Sequence, residues 1–139
     1  MRMLAVVIVL VVSSVCAAGA KLDDMRVALH VVWMVEGSGQ LHPRPGDGGK
    51  AIGPLQIWKI RVDDANRICR LKKLSIRFTY ADRNDIRKSM QMFVVSCLHY
   101  HPNGSVQDWL RHWNGNPVTG PWDENTLAYW GRCRKYLLP

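Results

Sequence analysis

Apolar positions run almost unbroken through Met25, Val27, Ala28, Leu29, Val31, Val32, Trp33, Met34 and Val35. That density predicts a helix buried on most sides. Asp23-Asp24 suit the positive end of its dipole, and Gly37-Ser-Gly39 closes it just after Glu36. From Gln40 to Ile52 the pattern breaks at Pro43, Pro45, Gly46, Gly48 and Gly49, which predicts a loop or small hairpin around Asp47. A second helix is expected to open at Gly53-Pro54, since proline fits a first helical turn, with Ile57, Ile60 and Ile68 facing inward. Thr79-x-x-Asp82 reads as the start of a third, where Ile86, Met90, Phe93, Val94, Cys97 and Leu98 recur at helical spacing. His101-Pro-Asn-Gly104 stops it. Ser105 caps a short helix with Val106, Trp109, Leu110 and Trp113 inward. After a turn-rich stretch from Asn114 to Pro121, a last helix starts near Asp123 with Leu127, Trp130, Cys133 and Leu137 inward. The expected fold class is α+β, mostly α, with one small hairpin or loop region after the first helix.

Not all of the apolar content belongs to that fold. Arg2 precedes an apolar run from Met3 to Val15, and Ala18-Gly-Ala20 supplies a small-residue end. The pattern predicts a secretory signal peptide over residues 1–20, cleaved after Ala20, with one domain over 21–139. The rivals are an uncleaved anchor and, more weakly, a lipoprotein through Cys16. Export predicts an oxidising compartment and one disulfide among Cys69, Cys97 and Cys133, with one thiol left over and the pair undetermined. Cysteine and histidine are not spaced as a structural zinc site, and no phosphate-binding glycine loop occurs; no metal or cofactor is expected.

The residue that stands out is Glu36. It follows a largely apolar stretch, so its side chain is expected to leave a buried helix into a cleft, where desolvation raises a carboxyl pKa and suits a general acid. Asp47, in a polar glycine-rich loop, is expected to stay ionised. Two carboxylates in opposed environments form the pair used in glycoside hydrolysis.

Further residues then recur in one order: Gly46-Asp-Gly-Gly-Lys-Ala-Ile-Gly-Pro-Leu-Gln-Ile57, Arg111-His-Trp-Asn-Gly-Asn-Pro117 with Gly120, and Thr126-Leu-Ala-Tyr-Trp130. Together with Glu36 this series resembles the invertebrate-type (destabilase-like) lysozymes and their bacterial relatives, in the lysozyme-like superfamily, over nearly all of residues 21–139. The resemblance implies a lysozyme-like fold and hydrolysis of the β-1,4 bond between N-acetylmuramic acid and N-acetylglucosamine in peptidoglycan. It carries Glu36 onto the general acid and Asp47 onto, or one residue from, the second carboxylate. Gln56 matches a glutamine lining the cleft. Trp58 to Asp64 replaces a sugar-contacting stretch, and Asn114-Gly115 matches part of another. Tyr129-Trp130 matches a pair expected to pack the last helix.

The chain departs from the family pattern at several points. Leu55 stands where tyrosine is common, Asn116 where a second glycine is usual, and Gly37 where serine is frequent. Trp113 replaces a frequent histidine, so stacking is expected to replace a hydrogen bond to sugar there. Trp33, Trp109 and Trp130 are read as core, and the histidines as solvated or core-satisfied. The basic runs Arg67 to Arg77 and Arg132 to Lys135 within a chain of net charge +8 predict attraction to an anionic cell-wall surface or a plain solvated face, and no nucleic-acid partner. Beside glycan strands as partner, the expectation is a monomer without a stable membrane span after cleavage. Two rivals remain: a lytic transglycosylase using Glu36 alone, and a non-catalytic wall-binding module on the same scaffold.

Overall fold

The computed structural model describes residues 20–115 and 120–137. The predicted leader up to Gly19, and Asn116 and Pro117 of the motif, lie outside them. Among the described residues the chain forms five α-helices: α1 (Ala20–Gly37), α2 (Lys59–Leu71), α3 (Ile86–Tyr100), α4 (Val106–Trp113) and α5 (Glu124–Arg134). Two short 3-10 turns, Asp47–Gly49 and Tyr80–Asn84, punctuate the connections. The molecule is mostly α. The β component expected after the first helix reduces, among the described residues, to isolated bridges pairing Gly46 with Ala51 and Ile52 with Ile57, because the segment between them turns too tightly to extend a ladder.

α3 runs through the middle, with every residue from Met92 to Leu98 buried. α2 packs against it, α4 contacts α1, α3 and α5, and α5 leans on α1. One apolar cluster joins all five helices, with Met25, Leu29, Ile68, Phe93 and Trp109 almost wholly enclosed. Each such side chain contributes roughly 1.5–3 kcal/mol. No helix among the described residues is long and apolar enough to cross a membrane.

Capping decides where helices begin. Ser105 accepts from the Asp108 N–H while Asp108 accepts from the Ser105 N–H, a capping box at the start of α4. Asp123 accepts from the Thr126 N–H at 2.7 Å and opens α5. Both agree with the sequence pattern. The third start does not. The capping box of Thr79 and Asp82 belongs to the 3-10 turn, and the cap of α3 is Asp85, which accepts from the Lys88 N–H.

Two inward assignments also change. α2 begins at Lys59 rather than Gly53, because positive φ at Gly53 (78°) and Gln56 (49°) folds residues 53–56 into a turn. Ile60 is then 69% exposed while Ile57 and Ile68 are buried. On α5 the inward residues are Thr126, Tyr129 and Cys133, which leaves Leu127 exposed. The expected disulfide is absent: Cys69, Cys97 and Cys133 are free and buried. They sit on three different helices, each taken up by core packing.

Candidate active site

Glu36 lies in the last turn of α1, and Gly37 lets that turn press onto the following loop. A Cβ at Gly37 would stand 2.3 Å from the Pro54 carbonyl oxygen. Serine at this position would not fit. Burial is the main force on the Glu36 carboxyl and raises its pKa above the ordinary carboxylate range. The Tyr129 hydroxyl and the Arg132 charge pull it down, Asp47 pushes it up again, and Arg61 lowers it slightly. Glu36 therefore has cationic neighbours that its apolar flank did not reveal, and desolvation outweighs them. Tyr129, on the inner face of α5, is buried beneath this carboxyl. Its hydroxyl faces Glu36 and Cys133 without full hydrogen-bond geometry to any described group. Burial holds the phenol well above its usual pKa and the Cys133 thiol up at about 12.

Asp47 lines the same cavity as Glu36. Gly46 pairs with Ala51, and residues 47–49 make a single 3-10 turn with Asp47 itself at φ 49°, a left-handed conformation that aspartate tolerates better than most residues. The turn is held by Gln56. Its Oε1 accepts from the Gly46 N–H at 2.9 Å, and its Nε2 donates to the carbonyls of Gly53 (3.0 Å) and Arg44 (3.4 Å). Gln56 thus borders the cleft, but its amide is spent on the loop's backbone rather than left for a ligand. Arg83 fastens the far side. It is buried, and its guanidinium donates to the carbonyls of Tyr80, Lys50 and Ile57. The Trp58 indole N–H completes the arrangement by donating to Asp47 Oδ2 at 3.1 Å.

Between the two carboxylates lies an open cavity of about 500 Å³. Six residues singled out from sequence line it: Glu36, Asp47, Gln56, Trp58, Trp113 and Asn114. Asp64 does not. It sits on α2 facing α3, where it pairs with Arg67 at 2.8 Å and accepts from the Tyr100 hydroxyl, because six residues of helix after Trp58 carry it off the cavity side. Gly115 also falls behind the lining, its missing Cβ 4.0 Å from the Arg61 guanidinium. Ile60 and Arg61, inside the Trp58 to Asp64 stretch but not singled out from sequence, also line the cavity. The available signal was spacing, since Arg61 follows Trp58 by three residues and so shares its side of the helix. Trp113 is mostly buried, its ring tilted against Phe93 and beside the Arg61 guanidinium. Of the tryptophans read as core, Trp109 is fully buried, and Trp33 and Trp130 pack on the core's edge.

No protein-family model, curated protein or solved structure matches this chain. The chemistry therefore stands on the geometry: a half-buried carboxyl whose pKa is raised and an exposed carboxyl on a braced loop, both lining one solvent-open groove with two indole walls.

Proposed function

We propose that the protein is a glycoside hydrolase of lysozyme-like fold, a muramidase that cleaves the β-1,4 bond between N-acetylmuramic acid and N-acetylglucosamine. The observation that carries this reading is that Glu36 and Asp47 line one cavity, the first with a raised pKa and the second exposed. Glu36 protonates the glycosidic oxygen as the bond breaks. Asp47 stabilises or traps the oxocarbenium-like centre, and water completes hydrolysis with Glu36 acting in reverse as base. Trp58, 40% exposed, offers a ring face to sugar, Asn114 a polar contact at the rim, and the largely buried Trp113 helps to form the wall.

The setting fits an exported, monomeric enzyme meeting an anionic wall. The side chains of Arg67, Arg70, Lys72, Lys73 and Arg77 cover an exposed end of α2 and the loop that follows. Opposite charge there raises encounter rates without taking part in chemistry. Glu36→Gln is expected to abolish clearing of a peptidoglycan suspension while the fold persists. Wild-type clearing by that variant would sink the assignment. Product mass separates the transglycosylase alternative, since hydrolysis adds a water and transglycosylation does not. Full activity in Asp47→Asn would favour a mechanism resting on Glu36 alone.

A further inference from the structure

Arg61 projects from the first turn of α2 into the cavity wall. Its Nη2 donates to the carbonyls of Trp113 (2.9 Å) and His112 (3.3 Å), and its guanidinium lies 5.2 Å from the centre of the Trp113 ring. Backbone and ring together fix the side chain, so little conformational freedom is left to lose when a ligand arrives. The rest of the fork is uncommitted: Nε and Nη1 find no acceptor among the described residues. Nor is its charge consumed. The ion pairs among the described residues are Arg26 with Asp23 and Arg67 with Asp64, both outside the cavity. Among the described lining residues Arg61 is the one base, facing two acids. A neutral sugar has no use for a preorganised cation there, whereas a carboxylate matches a guanidinium edge in charge and geometry.

We propose that Arg61 reads a carboxylate projecting from the glycan strand and so makes the site prefer an acidic glycan over a neutral one of the same linkage. The proposal rests on the glycan-cleaving reading of the cavity and names the substrate feature that reading leaves open. Two groups on peptidoglycan carry such a carboxylate: the lactyl group of muramic acid once its peptide is removed, and the peptide stem itself.

The test is calorimetric binding to Glu36→Gln protein, which holds glycan without turning it over. Three ligands of equal sugar number are compared: a chitin oligosaccharide, a peptide-free peptidoglycan oligosaccharide and a peptide-bearing one. Adding Arg61→Gln is expected to weaken at least one carboxylate ligand by about ten- to a hundredfold, the worth of a charge-assisted hydrogen bond, and to leave chitin unchanged. The ligand that weakens identifies the source of the carboxylate. Arg61→Lys, which keeps the charge and loses the fork, is expected to retain part of the preference. Equal weakening of all three ligands, or of none, overturns the role of Arg61 while leaving the hydrolase reading standing. Failure of Glu36→Gln protein to bind any of the three overturns both.

Discussion

The indole N–H of Trp58 donates to Oδ2 of Asp47 at 3.1 Å, across eleven residues of chain. Trp58 is also the residue that precedes the first turn of α2. A rigid helix end thereby sets the orientation of a loop-borne carboxylate.

Trp58→Phe removes that hydrogen bond but keeps a ring under the Lys50 ammonium, which sits 5.4 Å from its centre. Both partners are exposed, so the melting temperature is expected to stay nearly constant. Turnover of peptidoglycan should fall about tenfold, the lower range for losing a hydrogen bond to a charged group. Unchanged turnover would show that Asp47 is oriented by its loop alone.

Burial raises the Glu36 pKa, so the folded state holds a proton that the unfolded chain releases at the ordinary glutamate value. The stability tied to that proton is complete below the unfolded pKa and is lost as pH rises through the folded one. Glu36→Gln cannot lose it. Melting temperatures of the two proteins are expected to diverge with rising pH, the variant becoming the more stable. The alkaline limb of the activity profile should follow the same group, because a general acid must enter the reaction protonated.

His112 behaves in the opposite sense. Burial first, then Arg61 and His101, lower its pKa to about 4, with Asp64 pulling weakly upward, while its ring meets the Ser96 hydroxyl at 3.0 Å. The unfolded chain takes up a proton near the normal histidine value that the folded ring refuses. Stability is therefore full above that value and drains as pH falls from about 6.5 to about 4. The loss is about 2 kcal/mol once partial solvent screening is allowed for. In His112→Gln the melting temperature should decline less steeply over this window. An identical decline would assign the acid sensitivity elsewhere.

Gly53 and Gly131 make a paired test of backbone fit. At Gly53 φ is 78°, and an added Cβ would stand 1.7 Å from the Arg83 carbonyl oxygen. Gly53→Ala should cost more than about 3 kcal/mol, since neither backbone can move without releasing the Asp47 loop. Gly131 lies within α5 with nothing near its Cβ position. Gly131→Ala should stabilise by about 0.5–1 kcal/mol. Chemical denaturation of both variants measures the contrast.

Local rules located much of this structure. The Ser105 and Asp123 caps, the termination after Glu36 and the inward face of α3 all depend on residues within a few positions of one another, and each is where the pattern predicts it. The rules failed where a distant group intervened. Thr79 and Asp82 do form a capping box, but the Arg83 guanidinium reaches back to Lys50 and Ile57, and the chain turns once more before Asp85 starts the helix. Gly53-Pro54 looked like a helix opening until Gln56 spent its amide on Gly46 and Gly53 and took a left-handed backbone. The expected disulfide followed from residue counting, which carries no information on distance.

From the sequence alone came five helical segments, a carboxylate at the end of a buried helix and another in a glycine-rich loop. These are consequences of periodicity, capping and chain stiffness, all short-range. Only the tertiary structure brought Glu36 and Asp47 to one cavity, turned Asp64 away from it and set Arg61 between Trp113 and open solvent. Those outcomes depend on the angle at which α1, α2 and α5 meet and on hydrogen bonds spanning tens of residues. Desolvation of Glu36 is likewise a property of what packs over it, and Tyr129 arrives from the other end of the chain.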